Sequence, residues 1–250
     1  MNEGQAGRTA ALAGTLGGPQ SYNAPVVGTS FAIGDDLRNG VINVPTGSTV
    51  RVKVDRVNEN RTTENHIAET PTGDPDNVVV VGAHLDRVTR DPGINDNGSG
   101  SAGILEIAEQ FAARGIEPRN KVRFIWWSVE GFGLLGSRAY VAEQTPAQLA
   151  KIRLNLNFDM IGSPNFVRFA YDGDNSRFPV GRNSADGPQG SDEIERVFHD
   201  YVASQGLASS ETAFSGRSDY GPAAGPVSGS TSTPGGGGLH PEHDHEELDR

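Results

Sequence analysis

From residue 65 onward, short apolar runs alternate with stretches of helical period, and that alternation predicts an α/β fold. Residues 78–84 (VVVVGAH) are apolar almost throughout, as a central strand covered on both faces should be. Residues 99–115 (SGSAGILEIAEQFAARG) place Ile104, Leu105, Ile107, Ala108 and Phe111 at helical spacing, and Gly115 is a natural stop. Further strands are expected over 121–127 (KVRFIWW), 152–158 (IRLNLNF) and 165–173 (NFVRFAYDG), with a helix over 134–144 between the first two. Residues 191–206 read as a helix with Ser191 as its cap, acids in its first turn, and Ile194, Val197, Phe198 and Tyr201 on one face. The fold class is therefore α/β, with a mixed, mostly parallel sheet sandwiched by helices.

The two ends differ from this middle. The first 55 residues suggest short strands and turns: 51–57 (RVKVDRV) alternates with the period of a half-buried strand, 25–34 (PVVGTSFAIG) is a brief apolar run, and only 35–41 looks helical. This is too little to bury a core alone and fits part of a small β domain. Residues 221–238 are rich in Gly, Ser and Pro and read as flexible linker, followed by the polar, His-rich 240–250. The organisation expected is a partial β domain over 1–60, an α/β domain over 61–222 and a linker with an acidic tail over 223–250.

Composition removes several classes of chemistry. The 32 acidic against 21 basic residues give a formal charge of −11, which argues against nucleic acid or an anionic membrane as partner. No apolar run approaches a membrane span. With no cysteine there is no disulfide, thiol nucleophile or thiolate metal site, so a metal would need His, Asp and Glu. Residues 1–18 lack the basic start and apolar core of a signal peptide.

Such ligand types occur at the ends of the predicted strands. His84 closes the run GAH, Asp96 lies in the loop GINDNGSG, Glu130 follows the strand ending in Trp126 and Trp127, and Asp159 follows LNLNF. Side chains delivered to the carboxyl ends of strands are how an α/β sheet builds a site. Each residue also has an ordinary explanation: a core histidine, a turn residue, a strand-end acid facing water. Together they suit a borderline divalent cation, with Asp86 placed to hold the His84 ring from behind and Glu130 as a general base. The Trp pair is read as core packing.

Five segments in order, GAHLD, GINDNGSGSAG, WWSVEGFGLLGS, LNFDMIGSPN and GRSDYGP, resemble the secreted zinc aminopeptidases of metallopeptidase family M28, over about residues 66–222. Residues 2–37 also resemble the later part of the protease-associated domain inserted in many members. The resemblance implies hydrolysis of N-terminal residues from peptides and an extracellular location; the oligomeric state is open, with a monomer favoured. It implies that His84 and Asp159 hold one zinc, that Asp96 bridges to a second, that Glu130 is the general base, and that Arg217 lies near the substrate. In the family a second acid follows the base. Here that position is Gly131, and the late histidine ligand has only His240 as a counterpart, beyond the glycine-rich stretch. One zinc is therefore expected and a second is in doubt. The alternative is a truncated, catalytically impaired or silent relative that binds at most one metal.

Overall fold

The computed structural model describes residues 9–11, 27–38, 47, 49–53, 59–87, 92–164, 166–181, 184–223 and 231–237. The chain divides into two compact units, Met1–Arg61 and Thr62–Arg250. In the first, the described regular element is a helix, α1 (Phe31–Arg38), rather than the strands expected there. Its start is set by Ser30, whose Oγ accepts the Ile33 N–H at 3.4 Å while its carbonyl accepts that of Gly34 at 3.0 Å. Such a cap begins the helix four residues before the DDLRNGV stretch. Of the alternating segment 51–57, residues 51–53 have no regular structure and the rest lies outside the described residues.

Among the described residues, the second unit is built on seven strands: β1 (His66–Glu69), β2 (Asp74–His84), β3 (Asn120–Trp127), β4 (Ile152–Asn157), β5 (Arg168–Tyr171), β6 (Ser210–Thr212) and β7 (Thr231–Gly237), in the order β1-β3-β2-β4-β7-β5-β6. The pairs β2/β3, β2/β4, β4/β7 and β5/β6 are parallel, whereas β1/β3 and β5/β7 are antiparallel. The helices are α2 (Gly100–Ala113), α3 (Leu135–Glu143), α4 (Pro146–Leu149), α5 (Ser191–Ser204) and α6 (Tyr220–Ala223). The mixed, mostly parallel sheet flanked by helices is the architecture expected from the alternation.

The valine run of β2 divides its side chains between two cores. Val78 and Val80 join Ile125, Trp127, Tyr140 and Ile152 on the α3 side. Val81 and Ala83 join Ile104, Val122 and Phe124 on the α2 side, with Val79, Phe111 and Trp126 packed around them. Period-two alternation with both faces apolar is what a doubly covered strand requires. The Trp pair does serve the core: Trp127 packs edge-on to Tyr140 at 5.3 Å and Trp126 stacks with Phe124 at 6.4 Å. Truncating a side chain as buried as Ile104 or Ile125 should cost about 2–5 kcal/mol.

Four local expectations are corrected. Leu105 and Ile107, at helical spacing, are 48% and 39% exposed, because only the Ile104/Ala108/Phe111 stripe of α2 meets the sheet. On α5, Val197 and Tyr201 are likewise exposed, while Phe198 packs against Phe158 and the residues fully covered are Ser191 and Glu195. The cap of α5 is Gly190 in the left-handed conformation, so Ser191 is the first helical residue. Residues 231–237, composed like a linker, form β7. Strands β4 and β5 each offer it an edge of backbone donors and acceptors, and main-chain pairing needs no apolar side chain.

Candidate metal centre

Parallel pairing sets the carboxyl ends of β2, β3 and β4 side by side. His84 is in register with Trp127, and Gly82 with Asn157. The chain runs from β2 out to β3 on one side and returns to β4 on the other, so the crevice above β2 and β4 is a topological switch point. His84 ends β2, Glu130 follows β3 by three residues and Asp159 follows β4 by two.

His84 is 3% exposed. Its Nδ1 lies 3.0 Å from the Asp86 carbonyl oxygen, which orients the ring and turns Nε2 toward the crevice. Nε2 is buried and has no hydrogen-bond partner, yet Asp96 Oδ1 stands 3.1 Å from it and Asp159 Oδ1 3.4 Å. One ligating atom each from His84, Glu130 and Asp159 falls within 4.8 Å of the others. A buried imidazole nitrogen facing several carboxylate oxygens fits a dication with nitrogen and oxygen ligands.

Charges in the crevice strain against one another. Burial by itself would lower the His84 pKa, but the Asp159, Asp86 and Asp96 carboxylates packed around the ring outweigh it and push the imidazole well up. Burial raises the Glu130 carboxyl to about 8, opposed by His84 and reinforced by the charges of Asp159, Asp219 and Asp96. A divalent cation among these oxygens would favour the ionised carboxylate and reverse that balance.

Asp86 acts differently from the sequence expectation. Its carboxylate lies 3.6 Å from His84 Nδ1, and it is the backbone carbonyl that holds the ring. The two carboxylate oxygens instead accept the Glu130 N–H at 2.7 Å and the Gly131 N–H at 3.2 Å, fixing the loop that carries the candidate base. Gly131 is exposed and supplies only that backbone contact. Val129 and Met160, which flank Glu130 and Asp159, have φ of 58° and 53°. Side chains held in the left-handed region cost about 1–3 kcal/mol each, and such strain gathers where a loop must aim a functional group.

Several organising residues escaped sequence reasoning. Asn97 is 1% exposed. Its Oδ1 accepts the N–H groups of Gly100 at 2.9 Å and Met160 at 3.1 Å, and its Nδ2 donates to the Phe158 carbonyl at 2.9 Å. It thereby joins the Asp96 loop to the Asp159 loop. A Cβ on Gly100 would stand 2.3 Å from the Phe158 oxygen, so this junction also explains that glycine. Ser218, in GRSDYGP, donates to Asp159 Oδ2 at 2.8 Å and accepts from Asn157 Nδ2 at 2.8 Å. Asp219 is wholly buried and accepts a hydrogen bond from Ser137 Oγ, and burial raises its carboxyl to about 7. Adjacent Arg217 is exposed, with its Nε donating to Ser215 Oγ at 3.1 Å. His240 lies outside the described residues. The only sequence signal for Asn97, Ser218 and Asp219 was their place inside the five motifs.

Residues 65–229 match peptidase family M28. The chain is 49% identical over 209 residues to leucine aminopeptidase 2 of Trichophyton equinum, covering 84% of this chain and 40% of that protein. It is 46% identical over 214 residues to the probable leucine aminopeptidase 2 of Aspergillus oryzae, with 84% and 41% covered. Among solved structures, the zinc aminopeptidase BSAP of Bacillus subtilis superimposes with a TM-score of 0.54 at 25% identity, over 69% of this chain and 40% of that one. The chain thus spans about 40% of the length of the curated relatives it matches. With the family match covering most of the chain and the five motifs lining one crevice, this protein is a member of peptidase family M28.

Proposed function

We propose that this chain carries the catalytic centre of a zinc-dependent aminopeptidase, hydrolysing N-terminal residues from peptides. The observation that carries the reading is the convergence of His84 Nε2 and Asp159 at adjoining strand ends with Asp96, from the segment before α2, and with Glu130 beside them. His84, Asp159 and Asp96 would hold the ion, and zinc when bound supplies a Lewis acid that makes water a nucleophile near neutral pH. Glu130 accepts the proton from the attacking water and returns it to the leaving amine. Asp86 keeps Glu130 aimed through the loop N–H groups. Arg217, exposed beside Ser218, is assigned to the substrate rim.

One zinc is expected to bind at this centre and a second only weakly, because Gly131 offers no side-chain oxygen; His240 is the remaining candidate for that second ion. The names of the relatives support zinc and a leucine-type substrate. We also assign the Met1–Arg61 unit to a protease-associated domain in part, on its sequence alone, and the protein to the extracellular space as a monomer. Among the described residues no helix is long and apolar enough to cross a membrane.

Gly131 favours a second reading, in which the chain binds zinc without turnover. The test is hydrolysis of leucyl-4-nitroanilide by the zinc-loaded chain and by Glu130→Gln. Loss of about 10²–10⁴-fold in turnover with zinc retention unchanged supports the assignment of Glu130. Equal turnover in the variant sinks that assignment. Zinc bound with no turnover in the wild-type chain establishes the silent reading instead.

A further inference from the structure

Away from this centre, α5 and β6 bring together a second set of ligand-type side chains. Glu195 and His199 are one helical turn apart, on the same face of α5. Glu211 is the middle residue of β6, at the edge of the sheet. One ligating atom from each of the three lies within 4.8 Å of the others.

The orientation of His199 distinguishes this set from a chance meeting of charges. Its Nδ1 is 2.6 Å from Ser209 Oγ, just before β6. In the tautomer whose Nδ1–H donates to Ser209, the lone pair sits on Nε2. That atom is closed off from solvent, has no hydrogen-bond partner, and faces Glu195 Oε1 at 3.6 Å. Glu195 is 7% exposed, and its other oxygen, Oε2, already accepts the Gly173 N–H at 2.8 Å. Oε1 is thus the oxygen turned toward the ring. Burial raises the Glu195 pKa, opposed by the Gly173 N–H and the His199 charge and reinforced by Asp172 and Asp174.

The acids nearby do not compete for the same role. Asp172, fully buried beside Glu195, accepts the backbone N–H groups of Ser176, Arg177 and Phe178, and so spends both oxygens on its own loop. Asp174 is exposed and accepts the Ser176 N–H as well. Among the described residues around α5, the Glu195/His199/Glu211 set combines an imidazole nitrogen without a hydrogen-bond partner and carboxylates from two elements.

We propose that Glu195, His199 and Glu211 form a structural site for zinc that fastens helix α5 to the edge strand β6. Bonds of about 2.0–2.1 Å in a tetrahedral shell put ligand atoms roughly 3.4 Å apart, so closing the present arrangement takes side-chain rotations of about an ångström. Ser209 orients the imidazole from behind, as metal-binding histidines require. Water completes the shell. The site lies on the edge strand β6, which pairs with β5 over three residues.

The test is equilibrium dialysis of the full chain against zinc, with metal counted per chain, for wild type, His199→Gln and Glu211→Gln. Each variant should bind one zinc fewer, and Ser209→Ala should weaken that equivalent by about 10–100-fold. In the wild type, zinc should slow amide exchange over residues 195–212 by more than it does in either variant. Magnesium, which prefers octahedral oxygen shells, should do neither. Unchanged zinc counts in both variants overturn the proposal. So does a simple His199–Glu195 ion pair, recognised when His199→Gln loosens α5 in zinc-free buffer and no zinc is lost. Should His199→Gln fail to fold, Glu211→Gln decides by the same count.

Discussion

The Asp86 carboxylate accepts the backbone N–H of Glu130 at 2.7 Å, so the residue that follows the candidate ligand His84 by two positions holds the candidate base from 44 positions away. Replacing it by alanine leaves two loop N–H groups without their acceptor and frees a strained turn. Asp86→Ala should lower kcat more than it raises KM, on the order of a hundredfold for a base displaced by about an ångström. Steady-state kinetics on leucyl-4-nitroanilide measures this. A pure KM effect would show that Asp86 does not position Glu130.

Asn97→Ala removes three hydrogen bonds that tie the Asp96 loop to the Asp159 loop. Each buried group left unpaired costs about 1–3 kcal/mol. Both stability and zinc affinity should fall, because two candidate ligands lose their common brace. Calorimetry with and without zinc tests the pairing of effects. A destabilised variant that binds zinc as tightly as wild type would confine Asn97 to a folding role.

Stability should fall more steeply with rising pH without metal than with it. The Glu130 carboxyl is raised from its ordinary 4.5 to about 8 and that of Asp219 from 3.8 to about 7. In each case the folded state holds its proton more tightly than the unfolded chain. Their contribution is full below pH 3.8–4.5 and is lost as pH climbs through 7 and 8. The metal-free protein should therefore melt at a lower temperature at pH 8 than at pH 5. Zinc competes with those protons, so the rise in Tm on adding zinc should be larger at pH 8. A zinc-induced shift that shrinks as pH rises would contradict the assignment of these groups to the metal centre.

Gly131→Glu should strengthen zinc binding at the centre by more than it raises turnover. It restores a carboxylate one residue beyond the base, where a two-ion clamp needs metals roughly 3.5–4 Å apart. Counting is best done with His199→Gln also present, so that the α5/β6 site does not contribute. An equal gain in turnover and affinity would mean that Gly131 alone limits the enzyme.

Much of this arrangement was legible in the residues because period and chemistry coincide. The valines of β2 and the ends at His84 and Trp127 follow from apolar runs that stop at a loop, and β4 ends at Asn157, one residue short of the run expected. The α2 stripe was overdrawn, since periodicity names every apolar position on a helical arc, whereas the sheet covers only the Ile104 side. Asn97 was invisible as an organiser: asparagine in a glycine-rich loop is ordinary turn chemistry, and only the folded loops reveal its three partners. The segment 231–237 was hidden for a different reason. Its pairing is made by the backbone, which composition does not record.

That last strand has a consequence for the order in which the molecule can come together. β4 and β5 do not touch as neighbours; β7 lies between them, parallel to one and antiparallel to the other. The half of the sheet that bears His84 and Asp159 is thus joined to the half that bears α5 and β6 by a segment synthesised after every other strand described. On the ribosome the earlier strands must wait with open edges until residue 237 has emerged, and a nascent chain paused before that point would display two separate half-sheets. Translation speed through the glycine-rich stretch, and any chaperone that shields a bare strand edge, would then govern the yield of folded protein as much as the stability of the finished sheet.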